Sequence, residues 1–313
     1  MPMNCKHQAN YHLVAHLSRS TPQEAISTWD IAFPRCLQPH TLKPSGKPLG
    51  QALIVAMDAE NVGIEGEGTV DGQSPALKKN QKTYAVRPFL LRWVRCTNVT
   101  VRNLRLTNPG AWTLNLFQTN GAVIDGVTIR SRDLGMHNND GIDLDSCENV
   151  RIRHCDITSG DDALCIKATL ASKPSRNIVA TDCQLSSRCN AIKLGTEAIG
   201  GFENITISHC QISNTKMAGI ALYAVDGGDL RHISISDVTM DGVVVPISIH
   251  LGARLKPFRE GDSPKPNPGK LRDVVIKNVQ TTLLKPDARP ATVFIDVADV
   301  TPAGFAAESE VPQ

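Results

Sequence analysis

The feature that most constrains the fold of this chain is an internal repeat of about 28 residues. An asparagine followed by alternating apolar residues recurs at Asn98, Asn149, Asn177 and Asn204. When these segments are aligned, one apolar column continues through Val101, Ile124, Ile152, Ala180, Ile207, Ile235 and Ile276. The intervals are 23, 28, 28, 27, 28 and 41 residues, so a regular unit is interrupted by one insertion.

A second apolar column lies between those segments and consists of Leu114, Ile142, Leu164, Ile192, Ile220 and Ile247. Each member is followed two residues later by another apolar side chain, which is the period of a β-strand. The alignment therefore predicts two parallel strands per repeat. Because so short a unit cannot bury its apolar face alone, the copies must stack, and the sequence predicts an all-β, parallel β-helix. A β-propeller needs four strands in about 40 to 50 residues and does not fit this spacing.

The repeat also predicts the domain organisation. Residues 1–50 show no clear period and form a poorly specified N-terminal segment, whereas residues 51–313 form a single β-helix domain. A stretch rich in Pro, Lys and Gly at about 251–270 interrupts the repeat and is predicted to be a loop that leaves the coil. Such loops commonly border the binding face of a solenoid, and a surface excursion without function is the alternative.

Cysteine spacing indicates packing more than crosslinking. Cys155, Cys183 and Cys210 recur at intervals of 28 and 27 residues, which predicts a stacked row of small buried side chains. The total of nine cysteines is odd, so at least one is free or pairs with another chain. A disulfide between Cys183 and Cys189 would close a short loop, but nothing in the sequence requires it.

Composition excludes two kinds of partner. A net charge of +2 without a basic tract argues against nucleic acid. No apolar run approaches the ~18 residues of a membrane-spanning helix, and residues 1–17 show no apolar export signal. We therefore expect neither a nucleic-acid nor a membrane partner.

Three aspartates mark the candidate site. Asp140 precedes one predicted strand, and Asp161 and Asp162 precede the next. Superposing the two strands with an offset of 22 residues places Asp140 over Asp162, about 4.8 Å away if the strands are neighbours. Such crowding should raise the pKa of at least one carboxyl group, which supplies an acid and a base from one residue type. The alternative is that the aspartates only satisfy backbone amides in turns.

Strand alternation predicts which side chains face outward. The outward positions are Asp143, Asp145, Cys165, Lys167, Lys193, Ala221 and Tyr223. We expect Asp143 to be solvent-exposed. A solenoid face of this kind forms a shallow groove suited to a linear polymer, and two or three carboxylates in it fit glycosidic bond hydrolysis.

Several motifs together resemble the family-28 glycoside hydrolases, the polygalacturonase and rhamnogalacturonase group. N-N-D ends at Asp140, G-D-D supplies Asp161 and Asp162, W-T-L begins at Trp112, and G-T-E ends at Glu197. The resemblance implies a right-handed parallel β-helix that cleaves pectic or other uronate-containing polysaccharide with inversion. It implies Asp161 as the general acid, with Asp140 and Asp162 positioning and activating water.

The family pattern is incomplete in this chain. Asn190 stands where the family has the histidine of G-H-G, and Ala221-Leu222-Tyr223 stands where it has R-I-K. We predict substrate contacts from Asn139, Asn190, Lys193, Lys167, Glu197 and Tyr223. Lys193, one rung from Ala221, is a candidate to replace the lost positive charge, with an ordinary solvated lysine as the alternative.

The remaining expectations follow from the resemblance and from the residues around the aspartates. We expect no cofactor, a metal-free site and a monomer, and the family suggests an extracellular or periplasmic location. Two other functions stay open. A β-helix polysaccharide lyase would depend on Ca²⁺ and give an unsaturated product, and a carbohydrate-binding β-helix without catalysis would explain the missing His, Arg and Lys.

Overall fold

The structure is a computed structural model that describes residues 14–17, 52–76, 87–132, 135–257, 263–283 and 292–295. The strands in these ranges are β1 Val14–Leu17, β2 Ala52–Met57, β3 Gly63–Gly66, β4 Thr69–Asp71, β5 Phe89–Val94, β6 Thr97–Arg102, β7 Arg105–Thr107, β8 Leu114–Phe117, β9 Asn120–Asp125, β10 Thr128–Arg130, β11 Ile142–Asp145, β12 Glu148–Arg153, β13 Asp156–Ser159, β14 Leu164–Lys167, β15 Ser175–Thr181, β16 Gln184–Ser187, β17 Ile192–Thr196, β18 Phe202–Ser213, β19 Ala218–Ala224, β20 Leu230–Val243, β21 Val245–Leu251, β22 Leu271–Leu283 and β23 Thr292–Ile295. One short 3₁₀ helix spans Ser74–Ala76.

The strands stack in parallel and confirm the predicted parallel β-helix. One sheet of nine strands, here called the site sheet, has the order β2-β5-β8-β11-β14-β17-β19-β21-β23. A second ladder runs β1-β3-β6-β9-β12-β15, and a third runs β4-β7-β10-β13-β16. The second and third ladders merge at β18, a strand of 12 residues that pairs with both β15 and β16.

The predicted registers are confirmed, whereas the predicted two strands per repeat are found only from β18 onward. The column through Val101 and Ile124 pairs as aligned, and so does the column through Leu114 and Ile142. A complete coil such as β8, β9 and β10 nevertheless has three strands instead of two. The third ladder was missed because strands of three residues, such as β7 and β10, contribute only one inward side chain each.

The interior of the coil is one continuous apolar core made of the inward columns. The predicted cysteine row is confirmed, since Cys155, Cys183 and Cys210 are each 1% exposed and free. Cys189 is also free, so no bridge to Cys183 forms. Thiols therefore fill a corner of this core, where a larger side chain would crowd its neighbours one rung away.

The asparagine that leads the repeat motif has a backbone role. Asn98, Asn149, Asn177 and Asn204 all have φ between 53° and 58°, in the left-handed region that asparagine tolerates. Their amides also form a ladder, in which Asn177 Nδ2 donates to Asn149 Oδ1 at 3.0 Å. The motif thus marks a backbone bend that recurs in successive coils.

The ends and the insertion are described in part. Strand β1 pairs in parallel with β3, while the rest of the predicted segment 1–50 lies outside the described residues. Within the insertion, residues 252–257 and 263–270 contain neither strand nor helix. The predicted division into one segment and one domain stays a prediction. Among the described residues, no helix has the length and apolarity to cross a membrane.

Candidate active site

The candidate site lies where the strands of the site sheet begin. The backbone fixes the stacking predicted for Asp140 and Asp162, since Gly141 N donates to Asp162 O at 2.8 Å. A glycine is needed between Asp140 and β11, because a Cβ at position 141 would lie 2.4 Å from Ala163 O. The two aspartates therefore occupy neighbouring rungs, as the offset of 22 residues predicts.

Asp140 is almost fully buried, and its Oδ1 has no hydrogen-bond partner. Burial raises the pKa of its carboxyl group well above the ordinary value, and the charges of Asp143 and Asp161 raise it further. The predicted pKa increase is thus present, although burial is a larger cause than the crowding from which it was predicted. This carboxyl oxygen is thus buried without a hydrogen-bond partner among the described residues.

Asp161 is the most accessible of the three aspartates, being half-buried where the other two are buried. Its backbone N donates to Asn139 O at 3.3 Å, and its carbonyl accepts hydrogen bonds from the hydroxyls of Ser159 and Ser187. Burial raises the pKa of its carboxyl group, as does the neighbouring charge of Asp162, while a hydrogen bond with Cys189 acts in the opposite direction. An exposed carboxyl group that keeps its proton is suited to general acid catalysis.

Asp162 is held by two partners from the next rung. Lys193 Nζ lies 2.7 Å from its Oδ2, and Asn190 Nδ2 donates to its Oδ1 at 2.7 Å. Asn190 in turn accepts a hydrogen bond from Ala218 N through its own Oδ1. Lys193 therefore turns back toward Asp162 and forms an ion pair there, so its charge is not directed over Ala221.

The expectation that Asp143 is exposed is wrong. Alternation does turn it away from the core of the coil, but its side chain is 0% exposed and neither carboxylate oxygen has a hydrogen-bond partner. Burial raises its pKa to about 8, although Lys167 Nζ at 3.7 Å acts against this increase. Asp145, also predicted to face outward, is likewise buried and binds the Thr169 amide and hydroxyl. Strand alternation predicts the side of the sheet to which a side chain points, but it does not predict which other residues cover that side.

Lys167 and Glu197 form a buried pair beside Asp143. Lys167 Nζ lies 3.3 Å from Glu197 Oε2 and 5.2 Å from the centre of the Trp112 ring. Burial alone would raise the pKa of Glu197, but attraction by Lys167 lowers it to about 2. The Phe89 ring stacks on the Trp112 ring, with 5.1 Å between the two ring centroids. An outer layer of side chains thus covers the start of the groove.

The start of the insertion approaches the same pair, which the sequence did not indicate. Arg254 Nε donates to Asp226 Oδ1 at 2.7 Å, and its Nη2 donates to Thr196 O at 3.1 Å. Arg254 also contributes to lowering the pKa of Glu197. Asp226 is 0% exposed and lies 28 residues, one repeat period, before Arg254, although no sequence motif marks either residue.

The other two predicted contact residues differ in position. Asn139 is buried, and its Nδ2 donates to Pro109 O at 3.1 Å, so it braces the turn that carries Asp140. Tyr223 is half-buried further along the groove, where its hydroxyl donates to Ser248 Oγ at 2.9 Å. The substrate-contact roles of all six predicted residues stay predictions.

Two groups of donor atoms lie close enough to hold a metal ion. They are Asp140, Asp143 and Cys165, and Asp161, Asp162 and Cys189, with atoms within 4.8 Å of one another in each group. Each group already contacts a lysine, Lys167 in the first and Lys193 in the second. These two ammonium groups offset part of the charge of the carboxylates, and the metal-free site stays a prediction.

The buried Asp143 makes stability depend on pH. Its pKa of about 8 in the folded state exceeds the ~3.9 of an unfolded aspartate, so the folded state binds this proton more tightly. Its contribution to the free energy of unfolding must then fall as pH rises from about 4 to about 8. Asp143→Asn should remove this dependence. As pH rises from about 5 to about 8, the melting temperature of the wild type should therefore fall relative to that of Asp143→Asn. Parallel melting curves across this range would contradict the assignment.

Comparisons with known proteins found a matching family and several relatives. The sequence model of the family described as glycosyl hydrolases family 28 matches residues 26–305. A probable polygalacturonase of Vitis vinifera is 29% identical over 202 residues, which are 60% of this chain and 41% of that protein. An endo-polygalacturonase of Pectobacterium carotovorum subsp. carotovorum is 28% identical over 214 residues, covering 63% of this chain and 52% of that protein. The chain thus spans about half the length of the curated relatives that it matches.

A solved structure shows the same fold. The polygalacturonase from Erwinia carotovora ssp. carotovora aligns with a TM-score of 0.63 and 20% sequence identity, covering 87% of this chain and 78% of that one. At this identity the likeness establishes the shared fold alone.

Proposed function

This chain belongs to glycosyl hydrolases family 28, and from that premise we propose that it hydrolyses glycosidic bonds of a pectic, uronate-containing polysaccharide with inversion. The observation that carries the proposal is the meeting of three carboxyl groups at the start of two neighbouring strands. Asp140 and Asp162 stack on adjacent rungs, and Asp161 lies beside them with a raised pKa. The names of the relatives supply the polymer class.

Each carboxyl group has a distinct part in the proposed reaction. Asp161 donates its proton to the glycosidic oxygen as the bond from this oxygen to the anomeric carbon breaks. A water held by Asp140 and Asp162 attacks the anomeric carbon from the opposite face of the sugar, and a carboxylate of this pair takes the proton of the water. The products are a new reducing end of inverted configuration and a new hydroxyl on the leaving sugar.

The surroundings of the three groups support this division of roles. Lys193 forms an ion pair with Asp162, which holds the Asp162 side chain in place beside the proposed position of the attacking water. Asp161 is the one of the three that is half-exposed, so it reaches an oxygen of a polymer lying in the groove. Asn190 occupies the place of the family histidine and binds Asp162 without a titrating group.

The direct test of the proposal is an assay for new reducing ends on a panel of pectic polymers and oligomers. We expect reducing ends on at least one member, with the inverted anomer formed first as seen by proton NMR. Absence of any product, together with retained glycan binding, would establish the alternative of a carbohydrate-binding β-helix. The replacement of the family cations by Ala221 and Tyr223 is the observation that favours this alternative.

A chelator separates the hydrolase from a polysaccharide lyase. The proposed reaction uses no metal ion, and Lys167 and Lys193 already contact carboxylates of both donor groups, so kcat/KM should stay unchanged after dialysis against EDTA. The product should also lack the ultraviolet absorbance of an unsaturated uronate. Activity that is lost to EDTA and restored by Ca²⁺ would refute the metal-free site and favour the lyase.

A further inference from the structure

We propose that the groove surface on the C-terminal side of the catalytic carboxylates is a subsite for an uncharged sugar unit that carries a methyl group. The inference rests on the proposed function, because it assigns one unit of the same polysaccharide to the same groove. We call this surface the apolar floor: its exposed or half-buried members are Met217, Tyr223 and Val244, and the buried Ala218, Ala221 and Val245 support it from beneath.

The floor continues the columns that contain the catalytic residues. Asp162 and Asn190 are followed in register by Ala218 and Val245, because Ala191 N donates to Ala218 O and Ala218 pairs with Val245. Two rungs separate Asp162 from Ala218, or about 10 Å at the ordinary strand spacing. This distance is about that of the next one or two sugar units along a bound chain.

The residues that follow Asp161 in register on later rungs also become apolar. Met217 N donates to Cys189 O, and Val245 N donates to Met217 O, both at 2.9 Å, so Cys189, Met217 and Val244 follow one another. Met217 is 47% exposed, one of three large apolar side chains that the described residues expose. An exposed methionine in line with a proposed acid is a contact surface available to substrate.

The floor is a separate apolar cluster, not an edge of the interior core. Ala218, Ala221 and Val245 pack together on the outside of the site sheet, with Tyr223 and Val244 against them. Tyr223 is fixed by its hydrogen bond to Ser248 and by an edge contact with His250, whose ring centre lies 6.0 Å away. A fixed aromatic ring beside small apolar side chains suits the apolar face and methyl group of a sugar.

Two lysines near the floor are paired with carboxylates of the protein. Lys193 pairs with Asp162 at 2.7 Å, and Lys167 pairs with Glu197 at 3.3 Å. The exposed cations Arg188 and Lys216 come one residue before Cys189 and Met217, at the edge of the floor, where they suit the uronates of neighbouring units. Because the floor consists of apolar side chains and Tyr223, a carboxylate seated on it would lose water to apolar neighbours, which disfavours a charged unit there.

Two sources supply an uncharged unit with a methyl group in this kind of polymer. One is a 6-deoxy sugar, and the other is a uronate whose carboxyl group is methyl-esterified. Both present a methyl group at the sixth carbon position or on its ester, so the apolar floor binds the chemistry that they share. The substrate series below distinguishes them.

The test compares kcat/KM on three oligomers of equal length: unesterified oligogalacturonide, its methyl ester, and an alternating rhamnose–galacturonate oligomer. We expect the wild type to prefer one methyl-bearing oligomer by about 10-fold or more over the unesterified one, the usual scale for such a group in an apolar site. The preferred oligomer identifies the source. A wild-type preference for unesterified oligogalacturonide would overturn the proposal.

Variants test whether the apolar floor causes this substrate preference. Met217→Ser should reduce it several-fold, and Tyr223→Lys, which restores one family cation, should shift the preference toward the unesterified oligomer. Val179→Ser is the matched control, because Val179 is exposed on β15, away from the groove. Equal preferences in Met217→Ser and in the control would overturn the assignment, provided that melting curves show both variants folded.

Failure of the proposed function is distinguishable from failure of this inference. If the wild type hydrolyses none of the oligomers, the hydrolase proposal fails, and calorimetric titration with the same three oligomers decides the subsite. Tighter binding of a methyl-bearing oligomer, weakened by Met217→Ser, supports the floor. Equal binding of all three, or tighter binding of the unesterified oligomer, overturns it.

Discussion

Asp161→Asn should lower turnover by about 10² to 10⁴-fold on whichever glycan the wild type cleaves. The substitution keeps the size of the side chain and its hydrogen bonding to Cys189, but it removes the proton that the leaving oxygen needs. Glycan binding should change little, because the lost interaction is made in the transition state. Turnover and substrate KM, measured on the same oligomer, check this result.

Stability should be preserved in this variant. Burial and the charge of Asp162 disfavour ionised Asp161, so a neutral amide resembles the protonated carboxyl group that the folded state favours. Asp143→Asn is unsuitable as the control because Asp143 is fully buried at the site, and Asp241→Asn, on an exposed position of β20, takes its place. Near-wild-type turnover of Asp161→Asn, or equal loss in both variants through unfolding, would remove Asp161 from the role of acid.

Ile207→Ala should lower the free energy of unfolding by about 2 to 5 kcal/mol. Ile207 is 0% exposed in the middle of β18 and stacks between Ala180 and Ile235 on the neighbouring rungs. Its truncation removes contacts to both rungs and leaves a cavity that a rigid backbone ladder cannot close. Chemical denaturation, followed by circular dichroism, measures the change.

The matched control for this variant is Val179→Ala. Val179 lies on the paired strand β15 but points outward and is 38% exposed. A substitution at such a surface position should change the free energy of unfolding by no more than about 0.5 kcal/mol. Similar destabilisation by the two variants would show that the aligned column does not form the core.

The sequence by itself determined the coil and its register. The column from Val101 to Ile276 and the column from Leu114 to Ile247 both pair as aligned, because in a stacked coil each buried side chain meets its equivalent on the next copy. The same logic placed Asp140 over Asp162 and predicted the free cysteine row. The third strand of the coils before β18 was not predicted because its three or four residues carry too little periodicity to be recognised.

Only the tertiary structure decided what surrounds the outward side chains. Alternation turns Asp143 and Lys167 away from the core, and both are nevertheless buried by neighbouring side chains and turns. The pairing of Lys193 with Asp162 and of Arg254 with Asp226 depends on rotamers and on loop paths that no repeat encodes. Strand register follows from apolar positions that recur in every repeat, so it can be predicted from the sequence. Charge pairing and burial at the site depend on contacts between segments that occur only once in the chain, so the repeat does not predict them.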